Sequence, residues 1–218
     1  MYREHISAYM PVYLVMGLEG HGGRTALEIA REALEGGVTI LQLREKNAPL
    51  KQVLEQGAKL RDLCREYRVP FLVNDRVDVA VLLNADGVHV GQDDIPGLAA
   101  RQLLGGDKIV GISAGSMEEA EWAMAQGADY LGVGPVYATS TKPDAGEAIG
   151  TGLIGDIARR WSVPTVGIGG IHSGNAASVI QAGAGGVAVV SAITKQSNPL
   201  QAAAELKRIV LQSTGGSR

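Results

Sequence analysis

The chain has 218 residues, 45% of them hydrophobic and 20% charged, which is enough apolar material for the core of one globular domain and excludes a disordered or fibrous chain. A formal net charge of -3, a pI of about 5.8 and basic runs no longer than a residue or two argue against a nucleic-acid or anionic-membrane surface, so any phosphate recognition must be local. The single Cys64 excludes an internal disulfide and a CxxC metal site and points to a reducing cytoplasm, and no apolar run reaches the ~18 residues of a membrane span.

The N-terminal stretch MYREHISAYMPVYLVMG lacks the basic, apolar and small-residue regions of a secretory signal. From there on, short apolar and β-branched runs recur: VYLVMG (12–17), TILQLRE (39–45), FLVND (71–75), GVHVG (87–91), KIVGIS (108–113), YLGVGPV (130–136), PTVGIGG (164–170) and GVAVVS (186–191). None alternates cleanly between apolar and polar, as expected of strands buried on both faces of a parallel sheet. Between them lie stretches with apolar spacing near three and four, among them TALEIAREALEGG, LKQVLEQGAKLRDLCREY, MEEAEWAMAQGA and NPLQAAAELKRIVLQ, which predict helices. Cys64, in LRDLCREY, falls on such a helix as a small packed hydrophobe, and Trp122 and Trp161 in helical segments read as packing residues.

Four junctions repeat, LEGGVTILQL, LNADGVHVGQ, AQGADYLGVG and QAGAGGVAVV, each placing Gly near a helix end just before a strand, as a left-handed helix cap would. About eight βα units of roughly 27 residues suit an α/β fold of the (β/α)8 TIM-barrel class in a single catalytic domain over 1–212; a doubly wound open sheet has the same alternation. The tail 213–218 is expected to be disordered.

In a barrel, chemistry gathers at the C-terminal ends of the strands. Gln42, Arg44 and Lys46 alternate along one run, so two cations could converge on one anion, or pair with Glu45 or Asp75 at the rim. Asp75 and Asp94 end neighbouring runs beside Asn74 and Gln92. They suit Mg²⁺, which takes one or two carboxylates and leaves its other positions to water and phosphate, or the helix-capping role for which Asp94 is placed; Asp93 competes with Asp94 for the metal. GIGGI (167–171) and VVSAI (189–193) belong to the seventh and eighth units, where barrels build phosphate sites from backbone N–H groups. The loop after the sixth run holds Thr139, Ser140, Thr141 and Lys142 in a row. Of the four histidines only His89 lies in a strand, where a packed or barrel-interior role fits, so the chemistry should need no histidine base.

Together QLREK (42–46), VND (73–75), GVHVGQDD (87–94), STKPDA (140–145), GIGGI and VVSAI resemble, in order and over nearly the whole chain, the thiamine-phosphate synthase family. The resemblance implies a TIM-barrel transferase that uses Mg²⁺. It joins a pyrimidine diphosphate, (4-amino-2-methyl-5-pyrimidinyl)methyl diphosphate, to a phosphorylated hydroxyethylthiazole, releasing pyrophosphate and giving thiamine phosphate. Carried over, Gln42, Arg44, Lys46, Asn74 and Lys142 would hold the pyrimidine diphosphate, with Arg44, Lys46 and Lys142 as the catalytic cations, and Ser113 would hold the pyrimidine. Asp75 and Asp94 would bind Mg²⁺, and Thr139, Thr141, Gly170, Val190 and Ser191 the thiazole phosphate. Leu43, Glu45 and Ser140 fall within the same substrate-binding segments. The partners implied are these small molecules, with no nucleic acid and no membrane; a homodimer is compatible with the chain. One departure is Gly115, in ISAGS, where many relatives carry histidine. A thiazole tautomerase of the same fold would not need the full ionic set, a non-catalytic binder would not turn over, and a Schiff-base aldolase would want a lysine in a less polar setting.

Overall fold

A computed structural model describes residues 2–19, 22–139, 141 and 146–214. Eight parallel strands close into one barrel in sequence order. They are β1 (Val12–Met16), β2 (Ile40–Leu43), β3 (Phe71–Asn74), β4 (Gly87–Val90), β5 (Ile109–Ala114), β6 (Tyr130–Val133), β7 (Thr165–Ile168) and β8 (Gly186–Val189). Closure is made by β1, which pairs with β2 through Tyr13 and Ile40 and with β8 through Tyr13 and Ala188. All eight expected strands form, and the open-sheet alternative is set aside.

The two-residue period of a strand sorts each run into an outer and an inner set. Outward residues such as Leu14, Leu41, Val73, Val88, Ile112, Leu131 and Val187 pack under the helices in one continuous core. Inward residues form a second cluster in the lumen, with Tyr13, Val15, Ile40, Leu72, Ile109, Tyr130, Val166 and Ala188. A 3-10 helix, Arg3–Tyr9, lies across the N-terminal end of the lumen, with Ile6 and Met10 buried in that second cluster and Tyr2 and Tyr9 against it. Arg3 ties the arm down by an ion pair with Asp129 at 2.7 Å and a hydrogen bond to the Gly106 carbonyl at 2.6 Å. Gly186 makes this approach possible, since a Cβ there would lie 1.8 Å from the Met10 carbonyl oxygen.

The helices follow the expected alternation: α1 (Ala26–Glu35), α2 (Leu50–Tyr67), α3 (Val77–Leu82), α4 (Gly97–Leu104), α5 (Met117–Ala125), α6 (Gly152–Arg160), α7 (Ala176–Gln181), α8 (Ser191–Thr194) and α9 (Pro199–Thr214). Thr25 and Glu28 form a reciprocal capping box at the start of α1. Three of the four repeated glycine junctions take positive φ, at Gly37, Gly127 and Gly183. In the fourth, Asn84 takes the left-handed conformation instead, and Gly87 is already the first residue of β4, where a Cβ would meet the Ile109 carbonyl oxygen at 2.2 Å. Cys64 is fully buried on α2, and Trp122 and Trp161 pack against the outer core. α9 continues through Ser213 and Thr214, where the Thr214 hydroxyl donates to the Val210 carbonyl at 2.6 Å, so the expected disordered tail does not begin at 213; residues 215–218 lie outside the described ones. No helix among the described residues is long and apolar enough to cross a membrane.

Candidate active site

The C-terminal ends of the strands bring the predicted residues to one rim. β2 stops at Leu43, so Arg44 and Lys46 stand in the following loop and not on the strand; the Arg44 N–H still bonds the Met16 carbonyl at 2.8 Å, which extends the ladder by one residue. Leu43 turns its side chain into the outer core and can offer a ligand only its backbone. The Glu45 carboxylate is used up by the loop itself, accepting from the N–H groups of Leu18 at 2.9 Å, Asn47 at 2.9 Å and Ala48 at 3.1 Å. Burial raises its pKa, but these backbone donors outweigh burial and hold it below the usual carboxylate range. Glu45 is therefore a staple of the β2 loop, with no ion pair to Arg44 or Lys46. Glu45→Ala should lower stability by about 1–2 kcal/mol in urea denaturation, because several backbone donors lose their acceptor. Since the folded carboxyl has the depressed pKa, that contribution is present at neutral pH and lost as pH falls through the folded pKa, so the gap between wild type and variant should close in acid.

The Lys46 ammonium donates to Asp75 Oδ2 in a short ion pair. Asp75 has φ of 59°, unusual for a residue with a side chain, in a turn just past β3. Such strain is commonly held at functional sites. Asp94 lies beside it. Burial raises the Asp75 carboxyl above its ordinary pKa, Lys46 pulls it down, and the Asp94 carboxyl pushes it up again, leaving it raised. Asp94 does not cap α4: the cap position is Pro96, without a side-chain bond, and Asp94 Oδ2 instead accepts from the Gly91 N–H at 2.7 Å, which aims the carboxylate toward Asp75. Asp93 is exposed. Among the described residues no three His, Cys, Asp or Glu side chains gather as a metal cluster. Two adjacent hard carboxylates, one of them destabilised as an anion by the other, fit a divalent cation that completes its shell with water and phosphate oxygens.

Gln42, in the lumen face of β2, is buried at 4% exposure. Ser113, in β5, bonds His89 Nε2 at 2.9 Å through its hydroxyl, and its carbonyl accepts from Gln92 Nε2 at 2.7 Å. Asn74 Nδ2 reaches the His89 carbonyl at 3.4 Å. His89 is thus interior, as its place in a strand suggests, and its ring bonds Ser113 on one side and Tyr130 on the other. Tyr13 and Tyr130 join the lumen as polar residues that sequence reasoning missed; the one signal was a tyrosine at an inward position of an otherwise apolar strand. At Gly115 the N–H donates to Glu119 Oε2 at 2.6 Å, and an added Cβ would have only ordinary contacts, so the backbone there would accept a side chain.

Those of the remaining predicted residues that are described follow β6, β7 and β8, away from the loops after β2, β3 and β4 in the closed strand order. The backbone of Val136 and Tyr137 bonds the carbonyls of Ile168 and Gly169 at 2.8 and 3.0 Å, zipping the sixth and seventh loops together. Gly170 has φ of 62° and a Cβ there would lie 2.5 Å from the Ala138 carbonyl oxygen, so only glycine fits. Asn175 accepts from the His172 N–H and donates to the Gly170 carbonyl at 3.0 Å, fixing that turn. Thr139 is half-buried, and its Oγ1 accepts from the N–H of the exposed Thr141 at 3.2 Å. Val190 and Ser191 open the short α8, whose Ile193 and Thr194 N–H groups bond the Val190 carbonyl at 3.1 and 2.9 Å. Ser140 and Lys142 lie outside the described residues.

A closed parallel barrel with its ionisable and hydroxyl groups collected on the C-terminal rim has the architecture of the (β/α)8-barrel enzymes. The family model described as thiamine monophosphate synthase matches residues 12–193. The chain is 47% identical to a thiamine-phosphate synthase of Moorella thermoacetica, covering 94% of this chain and 97% of that one, and 49% identical to one of Haloarcula marismortui, covering 92% and 97%. It is also similar to the solved structure of thiamine phosphate pyrophosphorylase from Pyrococcus furiosus, with a TM-score of 0.87, 39% identity and coverage of 95% of this chain and 98% of that one. This chain belongs to the thiamine monophosphate synthase family and is an enzyme, a transferase of thiamine biosynthesis.

Proposed function

We propose that this transferase condenses the aminopyrimidine methyl diphosphate with the thiazole phosphate to give thiamine phosphate and pyrophosphate. The observation that carries the reading is the Lys46–Asp75 ion pair with Asp94 beside it, in the loops after β2, β3 and β4, set apart from the glycine turn after β7 and the helix start after β8. In this reading Arg44, Lys46, Asp75 and Asp94 form one arc of the rim, for the diphosphate, and Thr139, Gly170, Val190 and Ser191 a second, for the thiazole phosphate. A reaction joining two phosphorylated substrates needs both arcs; an isomerase acting on one phosphorylated thiazole would need only the second.

In this reading Asp75 and Asp94 hold Mg²⁺, which when bound neutralises charge on the diphosphate oxygens. Arg44 and Lys46 bind the same diphosphate, and Lys46 is preset by its ion pair with Asp75. The C–O bond to the diphosphate breaks with its electron pair leaving on oxygen, and the 4-amino group of the ring supports the positive charge left on the methylene. The thiazole nitrogen lone pair then forms the new C–N bond. Gln42, Asn74 and Ser113 orient the pyrimidine end, and the second arc, by anchoring the thiazole phosphate, aims the nitrogen at the carbon.

Purified protein with both substrates, assayed for thiamine phosphate with and without Mg²⁺, tests the reading directly: no product with metal present overturns it, and conversion of the thiazole substrate alone would indicate the isomerase. For the second arc, Ser191→Ala should raise the thiazole phosphate KM more than it lowers kcat, because that phosphate is remote from the reacting atoms and unchanged in the transition state. Steady-state kinetics with the thiazole varied read this; the opposite split would place Ser191 at the chemistry.

A further inference from the structure

Five side chains from five strands form one hydrogen-bonded chain across the lumen, directly beneath the rim. Gln42 Nε2 donates to the Tyr13 hydroxyl. The Tyr13 and Tyr130 hydroxyls are 2.7 Å apart, Tyr130 Oη is 2.8 Å from His89 Nδ1, and His89 Nε2 is 2.9 Å from Ser113 Oγ. Tyr13 and Tyr130 stand on β1 and β6, which are not neighbours in the sheet, so the link crosses the barrel. Space is cleared for it by glycine at two inward positions. A Cβ on Gly111 would lie 2.4 Å from the Tyr130 hydroxyl and one on Gly132 would lie 2.9 Å from the His89 ring. Apart from these groups the lumen cluster is almost wholly apolar.

We propose that Tyr13, Tyr130 and His89 are positioning residues that lock Gln42 and Ser113 into a matched acceptor and donor pair, which selects an aminopyrimidine by its hydrogen-bond pattern. The inference rests on the reading of this end of the site as the pyrimidine pocket. Its logic is proton counting. Burial raises the pKa of both tyrosines, so each phenol keeps its one hydrogen. With Gln42 donating to Tyr13, the Tyr13 hydrogen goes to Tyr130, the Tyr130 hydrogen to His89 Nδ1, and the single imidazole hydrogen sits on Nε2 and goes to Ser113 Oγ. The Ser113 hydrogen is then left for the ligand, while Gln42 presents its carbonyl. While each phenol donates within the chain, the two ends can change character only together, by reversing every link and flipping the buried Gln42 amide. An aminopyrimidine carries an amino donor beside a ring-nitrogen acceptor and answers this pair at both ends; a 4-oxo pyrimidine has an oxygen acceptor at C4 and a hydrogen on N3, the reverse pattern, and fits the same pose only if the whole chain turns round. Cutting the chain in the middle frees the ends to turn independently.

The test is binding of two stable probes, (4-amino-2-methylpyrimidin-5-yl)methyl phosphate and its 4-oxo counterpart, measured by calorimetry on the intact protein without the thiazole substrate. Wild type should prefer the amino probe, and Tyr130→Phe, which removes the middle hydroxyl and keeps the ring, should lower that preference about tenfold. Tyr13→Phe cuts the same chain at another link and should do the same, and the double variant should lose no more preference than either single one. The KM for thiazole phosphate should stay at the wild-type value in all three. A preference kept in a folded Tyr130→Phe or Tyr13→Phe, or losses that add in the double variant, would overturn the proposal. If Tyr130→Phe does not fold, Tyr13→Phe alone decides by the same ratio, and if neither folds the residues are structural and the proposal fails. Wild type that binds neither probe sinks the pyrimidine reading of the pocket instead, a result distinct from an unchanged preference.

Discussion

Asp75→Asn and Asp94→Asn should each depress turnover at millimolar Mg²⁺ by on the order of 10²-fold, with part of the loss recovered as Mg²⁺ is raised. Asp94 lies beside Asp75 and disfavours the Asp75 anion, a cost that a divalent cation held there would offset under the proposed function. The same geometry sets a second, activity-free expectation. Removing the Asp75 charge relieves both its burial and its contact with Asp94, so Asp75→Asn should melt at a higher temperature than wild type in metal-free buffer, even though Lys46 loses a partner at an exposed position. In return it should lack the rise in Tm that Mg²⁺ with inorganic pyrophosphate is expected to give the wild type. A thermal-shift series with and without those ligands reads both effects. Unaltered metal dependence in the two variants would remove Asp75 and Asp94 from the metal site, whatever their effect on Tm.

Lys142→Ala should lower kcat by on the order of 10²-fold or more, comparable to deleting one preorganised donor to developing charge. The expectation comes from the resemblance of STKPDA (140–145) to the family pattern, since Lys142 lies outside the described residues. If its ammonium meets the departing diphosphate, its charge counts most as the leaving oxygens become more negative, so the loss falls on kcat more than on KM. Lys142→Arg should restore only part of it, because a planar fork does not replace a point charge. A solvated loop lysine would change stability and rate by no more than a few tenths of a kcal/mol. Kinetics at saturating levels of both substrates separate the two: a variant that keeps its kcat puts the lysine away from the leaving group.

The strands were legible because a parallel sheet covered by helices buries both faces, and short β-branched runs such as VYLVM and GVAV, bounded by turn residues, suit that setting. The rim was legible for the same reason: a polar cluster at the end of an apolar run stands out. What local pattern could not give were partners fixed by the closed geometry. Lys46 was readable as a cation, but only the loop shape decides that it pairs with Asp75 and that Glu45 turns to backbone amides instead. Asp94 was readable as a carboxylate ahead of a helix, yet the helix begins later, at Gly97, and leaves Asp94 to face Asp75. The Tyr13 to Tyr130 bond is the furthest from local information. Its residues are 117 apart in sequence and on opposite parts of the sheet, and they meet only because the number and tilt of strands fix the width of the lumen.

The N-terminal arm gives the chain an order of assembly. Its seat is made by Tyr13, Ile40, Leu72, Ile109, Tyr130, Val166 and Ala188, residues from seven of the eight strands, and its anchor, Asp129, is 126 residues away from Arg3. No partial stack of βα units offers that surface, so the arm can fill its seat only once most of the strands are in place. Burial of Ile6 and Met10 therefore depends on contacts that are complete only when β8 has joined β1, and a short surface arm draws its stability from the whole barrel.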